Sequence, residues 1–280
     1  MQARRPTFRL APFVGIVRHH RMRMRGRTIL VTGGTSGIGR ALAAKLLARG
    51  NTVLVTGRSE ARLAEVRAAS PGVHTFVCDQ SDPAAVARLC AEATAAHPEL
   101  DVLVNNAGVG LKRDLTDPAT APDELAQEIR TNLIGPVQLT AGLLPHLLRR
   151  PEAMVVNVTS GLAFTPLPLK PVYCATKAAM HSYTQSLRVQ LGSTSVKVVE
   201  LAPPAVKTEF NRGQEEMNHG PQMSADALAD AALQGLEGGR EEILPGLARV
   251  LRNMARLRPG ATLRAAEAER MVAARLAAAG

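Results

Sequence analysis

The sequence predicts an α/β fold: one doubly wound Rossmann domain with a parallel sheet of about seven strands and helices on both faces. Two observations indicate it. Short apolar segments rich in Val, Ile, Leu and Thr recur along the 280 residues, and a stretch of helical composition follows nearly every one. These segments are almost continuously apolar, which is typical of strands buried on both faces of a parallel sheet.

The elements alternate from residue 28 onward. Strands are predicted at 28–32, 51–56, 73–77, 101–104, 153–159, 196–201 and, more weakly, 241–244. Helices are predicted at 38–49, 60–69, 83–96, 122–149 and 172–191. Right-handed crossovers between such units produce a doubly wound sheet.

Composition predicts three segments: a basic arm at 1–27, the Rossmann domain at 28–246 and a helical tail at 247–280. The net charge is +10, and the arm holds eight Arg and no Asp or Glu. No small-residue cleavage site follows its short apolar patch, so we expect a disordered arm rather than a secretory signal. Two alternatives stay open, a translation start at Met22 or Met24 and a contact of the arm with nucleic acid or anionic lipid.

Several classes of protein are disfavoured. No apolar run reaches the roughly 18 residues that a membrane helix needs. Cys78, Cys90 and Cys174 show no CxxC spacing, which favours free thiols in a reducing compartment and a cytoplasmic location. The seven histidines show no HExxH spacing, so we expect no metal site. The basic excess lies mostly in the arm, so we expect no nucleic-acid partner.

A glycine-rich turn, "LVTGGTSGIGRAL" at 30–42, lies between the first strand and the first helix. A phosphate can bind to free backbone N–H groups at such a helix N-terminus. Gly33, Gly37 and Gly39 would allow close backbone approach and tight helix packing. The pattern favours nucleotide binding, and the alternative is a tight turn without a ligand.

Tyr173 and Lys177 are four residues apart on one predicted helix, so their side chains share a face. A phenol has a pKa near 10, and a neighbouring ammonium is expected to lower it. Tyr173 would then act as a general acid or base near neutral pH. Ser160, at a strand end, could orient a substrate carbonyl. The alternative for the pair is a solvated helix face.

The glycine pattern Thr-Gly-x-x-x-Gly-x-Gly resembles that of the short-chain dehydrogenase/reductase family. Three further motifs lie at matching places: "NNAG" at 105–108, Asn132 in the long helix, and Ser160 followed thirteen residues later by Tyr173-x-x-x-Lys177. The resemblance covers about residues 28–210. Pro203-Pro204 replaces the usual Pro-Gly, and with "TGGTSGIG" it resembles the branch associated with D-alanylation operons.

The resemblance implies the site. Asn132, Ser160, Tyr173 and Lys177 would be catalytic, Asn132 anchoring a water and Lys177 also holding the nicotinamide ribose. Asp79 would contact the adenine amino group, and Val206 and Thr208 the carboxamide. The implied cofactor-binding residues are Gly33, Thr35, Ser36, Gly37, Ile38, Gly39, Arg58, Asp79, Gln80, Asn105, Ala107, Gly108, Tyr173, Lys177, Pro203, Val206 and Thr208.

The second strand ends at Thr56 with Arg58 just after it, and no carboxylate stands there to bind a ribose hydroxyl. An arginine can pair with a 2′-phosphate, so NADP is favoured, with NAD still open. The expected function is hydride transfer between a nicotinamide cofactor and a carbonyl compound or secondary alcohol, in a homodimer or homotetramer. Segments 162–172 and 207–223 would line the substrate pocket, the latter as its lid. The alternative is a non-catalytic dinucleotide-binding sensor or scaffold, against which the intact Ser160, Tyr173 and Lys177 argue.

Overall fold

The alternating strands and helices form a seven-stranded parallel sheet covered on both faces. A computed structural model describes residues 21–113, 115, 121–211 and 222–257. The strands are β1 (Thr28–Val31), β2 (Thr52–Gly57), β3 (Val73–Val77), β4 (Leu100–Asn105), β5 (Ala153–Val158), β6 (Val196–Leu201), β7 (Val206–Lys207), β8 (Met223–Ser224) and β9 (Glu242–Ile243). The helices are α1 (Gly37–Ala48), α2 (Glu60–Ala69), α3 (Pro83–Ala96), α4 (Pro122–Ile129), α5 (Gly135–Leu147), α6 (Pro171–Leu191), α7 (Ala225–Glu237) and α8 (Leu247–Leu257).

The strand order in the sheet is β3-β2-β1-β4-β5-β6-β9, and every neighbouring pair is parallel. The chain reverses its winding direction between β1 and β4. Ligands of open α/β sheets bind outside the carboxyl ends of the strands at such a switch point. The predicted Rossmann architecture is confirmed, and the crevice falls where the glycine-rich turn follows β1.

Both faces of the sheet are buried, which explains the continuously apolar strands. Ile29 and Val31 point to one face and join a core that includes Leu46 of α1. Leu30 points to the other face and packs in a second core with Leu143 of α5. The side chains of β1 therefore pack against α1 on one face of the sheet and against α5 on the other face.

Two parts of the sequence prediction need correction. The single helix expected at 122–149 is three segments, because a π-helical turn, Arg130–Ile134, separates α4 from α5. Helix α7 and the small parallel pair of β7 with β8 were not predicted at all. The weak strand signal at 241–244 is confirmed as β9, which pairs with β6.

The expectation of a disordered arm up to residue 27 is wrong for residues 21–27. Met22 and Met24 are fully buried in the first core. The Asn51 side chain donates a 3.0 Å hydrogen bond to the Met24 carbonyl. Arg27 forms ion pairs with Asp101, at 3.2 Å, and with Glu152. The body of the fold therefore includes these residues, and residues 1–20 lie outside the described part.

The predicted helical tail begins as α8, and residues 258–280 lie outside the described residues. Ala248 of α8 is fully buried, so the start of the tail packs on the body. No helix in the described ranges is both long enough and apolar enough to cross a membrane.

Candidate active site

The turn after β1 has a backbone that only glycine fits easily. Gly33 and Gly37 have φ angles of +67° and +52°, in the left-handed region. At Gly39 the limit is space, since an added Cβ would lie 2.3 Å from the Gly33 carbonyl oxygen and 2.5 Å from Asn106 Nδ2. The three glycines predicted from sequence therefore let helix α1 begin directly against the turn.

A side-chain clamp joins this turn to the "NNAG" loop after β4. Thr32 Oγ1 accepts hydrogen bonds from the N–H groups of Asn106 and Ala107, both at 3.0 Å. Asn106 Nδ2 donates to the Thr32 carbonyl at 2.9 Å. The two motifs thus form one rigid surface at the switch point. This role of Asn106 was not predicted from the sequence, although Asn106 is part of the "NNAG" motif.

The first turn of α1 leaves its backbone donors available. Ser36 is the N-cap, and within the described residues its side chain makes no capping hydrogen bond. Ile38 packs its side chain against the first core. Thr208, from the segment after β6, comes close to Gly37, 3.2 Å from the position of a Cβ there. Among the described residues, the N–H groups at this end of the crevice thus have no side-chain cap from Ser36, and Thr208 lies next to them.

The edge of the crevice at the end of β2 is cationic. Arg58 is exposed and has no ion pair with any described residue. The nearest carboxylate in sequence, Glu60, is bound by Arg67 at 2.5 Å. Thr56 is buried and its hydroxyl accepts a 3.3 Å hydrogen bond from the Gly33 N–H. The sequence expectation of a strand end without a free carboxylate matches this arrangement.

Three predicted cofactor residues use their side chains for other contacts. Asp79 accepts a 2.9 Å hydrogen bond from the Ser81 N–H. Gln80 Nε2 donates to the Thr131 carbonyl at 3.0 Å. Asn105 is buried, and its Nδ2 donates to Thr140 Oγ1 and to Asn157 Oδ1, both at 2.9 Å. Gln80 and Asn105 therefore brace the floor of the crevice with their side chains.

Ser160, Tyr173 and Lys177 come together beyond the end of β5. Tyr173 and Lys177 lie on adjacent turns of α6, with Lys177 Nζ 5.7 Å from the centre of the Tyr173 ring. Ser160 lies close enough to Tyr173 for its side chain to act on the pKa of the phenol. Lys177 Nζ donates a 2.8 Å hydrogen bond to the Val158 carbonyl, which ties the helix to the strand end. All three side chains are buried, so a solvated helix face is ruled out.

Burial sets the proton affinities of this group. Burial raises the pKa of Tyr173 to about 12, while the Ser160 side chain acts in the opposite direction. Burial lowers the pKa of Lys177 to about 8, because the ammonium loses its hydration. The expectation that Lys177 lowers the pKa of Tyr173 toward neutrality is wrong here, since burial raises that pKa and the side chain that opposes the rise is Ser160. The phenol therefore holds its proton throughout the physiological pH range.

Asn132 lies in the π-helical turn and clamps the "NNAG" loop from the other side. Its Oδ1 accepts a hydrogen bond from the Val109 N–H, and its Nδ2 donates to the Val109 carbonyl, both at 2.8 Å. A Cβ on Gly108 would lie 3.2 Å from Asn132 Oδ1 and 3.7 Å from Lys177 Nζ. The wide turn therefore places Asn132 beside Lys177 with only a glycine between them, and a water relay at Asn132 stays a prediction.

The comparison with protein families decides which group this arrangement belongs to. The model of the short chain dehydrogenase family matches residues 27–219, which is well over half of the chain. The chain belongs to the short chain dehydrogenase family. It is therefore a member of an oxidoreductase family, as the motifs predicted.

Relatives of the short chain dehydrogenase family are found in sequence and in structure. The uncharacterized oxidoreductase DltE of Bacillus subtilis is 44% identical over 225 residues, covering 79% of this chain and 89% of DltE. A short chain dehydrogenase from Burkholderia cenocepacia in complex with NADP has a TM-score of 0.76 and 27% identity, covering 86% and 97% of the two chains. A family member from Burkholderia phymatum in complex with NAD has a TM-score of 0.77 and 25% identity, covering 85% and 94%. The predicted similarity to the D-alanylation branch is confirmed, and the neighbours support a nicotinamide cofactor without deciding between NADP and NAD.

The Pro-Pro departure from the family pattern lies beside the Tyr173 group. The Pro203 carbonyl accepts a 2.8 Å hydrogen bond from the Gly161 N–H, next to Ser160. Val206 is buried and pairs in β7 with Met223 of β8. The segment after β6 is thus held at Pro203 by a hydrogen bond and at Val206 by strand pairing. Its Pro203 lies next to the loop of Ser160, and its Thr208 lies next to the glycine-rich turn.

Residues near Tyr173 that were not predicted one by one form a wall of the short chain dehydrogenase crevice. The Phe210 ring centre lies 5.6 Å from that of Tyr173. Lys170 is buried, with Nζ 5.8 Å from the Tyr173 ring centre and 5.4 Å from that of Phe210. Glu128 is buried nearby, and burial raises its pKa while Lys170 acts to lower it. Phe210 and Lys170 fall in the two segments predicted to line a pocket, and residues 212–221 of the predicted lid lie outside the described residues.

The cysteines are free thiols, as predicted. Burial raises the pKa of Cys78 to about 11 and also raises the pKa of Cys174, so neither is an activated nucleophile. In the described ranges, no group of three or more His, Cys, Asp or Glu side chains is placed to hold a metal ion.

Proposed function

We propose that this chain is an NADPH-dependent carbonyl reductase with Tyr173 as the proton donor. The observation that carries the proposal is a buried phenol, Tyr173, close to Lys177, whose Nζ lies near Gly108 of the loop that is clamped to the glycine-rich turn. A protein that only binds a dinucleotide needs the turn but not the phenol. The pairing of the two therefore favours an enzyme.

The turn fits the pyrophosphate of a dinucleotide. Side chains at Gly33 or Gly39 would fill the space against Ala107 and the Gly33 carbonyl, and the donors after Ser36 lack a capping side chain. Thr35 to Gly39 would hold the phosphates, Ala107 and Gly108 would line the adenosine side, and Thr208 would face the carboxamide. The bound cofactor supplies the hydride for the reaction.

The side chains near Tyr173 account for orientation and proton transfer. The Ser160 hydroxyl can donate to a carbonyl oxygen and hold it against the phenol. Tyr173 then delivers its proton to the oxygen as negative charge develops there, a role that needs the neutral phenol. With a pKa of about 12, Tyr173 is in this acid form at pH 7. Lys177 would bind the ribose and replenish the proton.

Arg58 supports NADPH over NADH. Its guanidinium stands at the strand end where a 2′-phosphate would lie, and no described carboxylate neutralises it. A charge-assisted contact of this kind contributes about 1.5–3 kcal/mol. A ribose hydroxyl offers no such partner.

The test mixes the purified protein with NADPH or NADH and a panel of aldehydes and ketones and follows nicotinamide absorbance. We expect consumption of NADPH with at least one carbonyl and slower consumption of NADH. Recovery of the matching alcohol completes the identification. NADPH binding without consumption on a broad panel would instead support the sensor or scaffold alternative.

A further inference from the structure

Helix α8 carries an apolar stripe that faces solvent. Leu247, Val250, Met254 and Leu257 are 45%, 48%, 44% and 82% exposed. Their spacing of three, four and three residues places all four on one side of the helix. Exposed apolar residues are ordinary when scattered singly, but a row along one helix indicates a surface that something else covers.

The opposite side of α8 fixes how the stripe is presented. Ala248 is fully buried, and a Cβ on Gly161 would lie 3.0 Å from Leu251 Cδ1. Arg252 pairs with Glu242 of β9 at 2.6 Å. The helix therefore sits firmly on the body, and the stripe cannot rotate inward without breaking these contacts.

The charge of α8 has one sign. Residues 247–257 contain three arginines and no acidic residue, and Arg249 and Arg256 are exposed. Apolar side chains on one flank with arginines on another are typical of helices that lie in the plane of a membrane interface. Long arginine side chains can reach lipid phosphates while the neighbouring apolar residues enter the acyl boundary.

We propose that α8 is an interfacial helix that docks this protein on an anionic membrane surface. A second copy of the chain is a poorer occupant, because pairing two such helices would bring Arg249 and Arg256 of each close to like charges. The stripe is also a convex surface on a single helix, which matches a flat bilayer without requiring a groove in a partner.

Docking through α8 would bring the crevice close to the lipid. Gly161, which contacts this helix, directly follows Ser160. The carboxyl end of β5 would therefore lie on the far side of the docked helix from the lipid, one helix away from the bilayer surface. This inference concerns the surface and does not depend on the proposed reaction.

The experiment is flotation of the full-length protein with vesicles of phosphatidylcholine alone or with about one third phosphatidylglycerol. We expect binding to the anionic vesicles, weakening at high salt, and little binding to the neutral ones. Absence of wild-type binding to both vesicle types would overturn the proposal and leave an acidic protein surface as the occupant of the stripe.

Matched double variants assign the binding to α8. We expect Val250→Gln with Met254→Gln to weaken vesicle binding by at least about tenfold, and Arg249→Gln with Arg256→Gln by about tenfold. The controls place the same changes on other exposed residues, Leu148 with Val189 and Arg88 with Arg240, and should stay within about twofold of wild type. Melting temperatures verify folding.

Retention of wild-type affinity by the Val250/Met254 variant would overturn the assignment to α8 and move the binding to another part of the chain. If the molecular mass of that variant in light scattering also differed from that of the wild type, the stripe would be a contact between copies.

Discussion

The two halves of the crevice are built by opposite means. On the glycine-rich side, the working groups are backbone N–H donors, and side chains are kept out: a Cβ on Gly39 would overlap a carbonyl oxygen at 2.3 Å. On the α6 side, the working groups are side chains, and Tyr173 and Lys177 are buried so deeply that their pKa values move to about 12 and about 8. The properties of the glycine-rich half are thus set by the space around its backbone, and those of the α6 half by the burial of its titratable side chains.

Each half of the crevice controls a different property. Contacts made by fixed backbone donors act on the bound cofactor in every state, so changes there should alter affinity. A buried proton donor acts only when charge develops on the substrate oxygen, so changes there should alter turnover. Substitutions on the glycine-rich half should therefore change cofactor affinity, and substitutions of the proton donor should change turnover.

The largest effect is expected for Tyr173→Phe. The ring and its packing against Phe210 stay, but the proton is lost, so turnover should fall by about a hundredfold or more. Steady-state rates on any carbonyl that the wild type accepts provide the measurement. Near-full turnover would show that the phenol is not the proton donor.

Gly39→Ala should weaken cofactor binding on the glycine-rich half of the crevice. The added methyl must displace the Gly33 carbonyl or the Asn106 amide, and we expect NADPH affinity to fall by about a hundredfold. Fluorescence titration measures it. Gly192→Ala is the matched control, because its nearest atoms are 3.4 Å away and its effect should be small. Unchanged affinity for Gly39→Ala would exclude this turn as the phosphate site.

Arg58→Ala should reduce the preference of the glycine-rich half for NADPH over NADH. We expect the Kd of NADPH to rise by about tenfold and that of NADH to stay within about twofold. Arg88→Ala, on the exposed side of α3, is the control for a general loss of positive charge. Equal losses for both cofactors would mean that Arg58 does not contact the 2′-phosphate.

The smallest effect concerns stability on the α6 half. Lys177 has a pKa of about 8 in the fold and about 10.5 when unfolded, so below pH 8 its buried ammonium destabilises the protein. That cost disappears as pH rises from about 8 toward 10.5, where the folded protein releases its proton first. Lys177→Met should therefore raise stability by about 1–2 kcal/mol at pH 7, offset in part by the lost bond to Val158.

Thermal unfolding at pH 7 and near pH 10 measures this gain, which should shrink at the higher pH. A variant less stable than wild type at pH 7 would show that the hydrogen bond outweighs the cost of burial. Activity and cofactor affinity of Lys177→Met should fall together, because the lysine belongs to both halves.

The sequence was sufficient for the sheet and for the residues that gather in the crevice. The ordered motifs grouped Ser160, Tyr173 and Lys177, and the structure brings these three residues together, because helix spacing and parallel strands determine which residues meet. The pKa of Tyr173 could not be obtained in this way. Spacing places Lys177 near Tyr173, but only the packed structure shows how far burial raises the pKa of the phenol.

Other misses have equally specific causes. The π-helical turn was not predicted, because the hydrogen bonds of Asn132 to Val109 are tertiary contacts within an otherwise helical pattern. The sequence contains a pattern that indicates the burial of Met22 and Met24, but the high positive charge of residues 1–27 favoured a disordered arm instead. In "RMRMR" at 21–25 Met alternates with Arg, and the structure buries only the methionines.

The most direct test of the division between the halves is the NADPH affinity of Tyr173→Phe, measured by the same titration as for Gly39→Ala. We expect a Kd within about twofold of wild type for Tyr173→Phe, together with a turnover reduced by about a hundredfold. A loss of affinity as large as that of Gly39→Ala would contradict it, because the phenol would then hold the cofactor rather than serve the reaction.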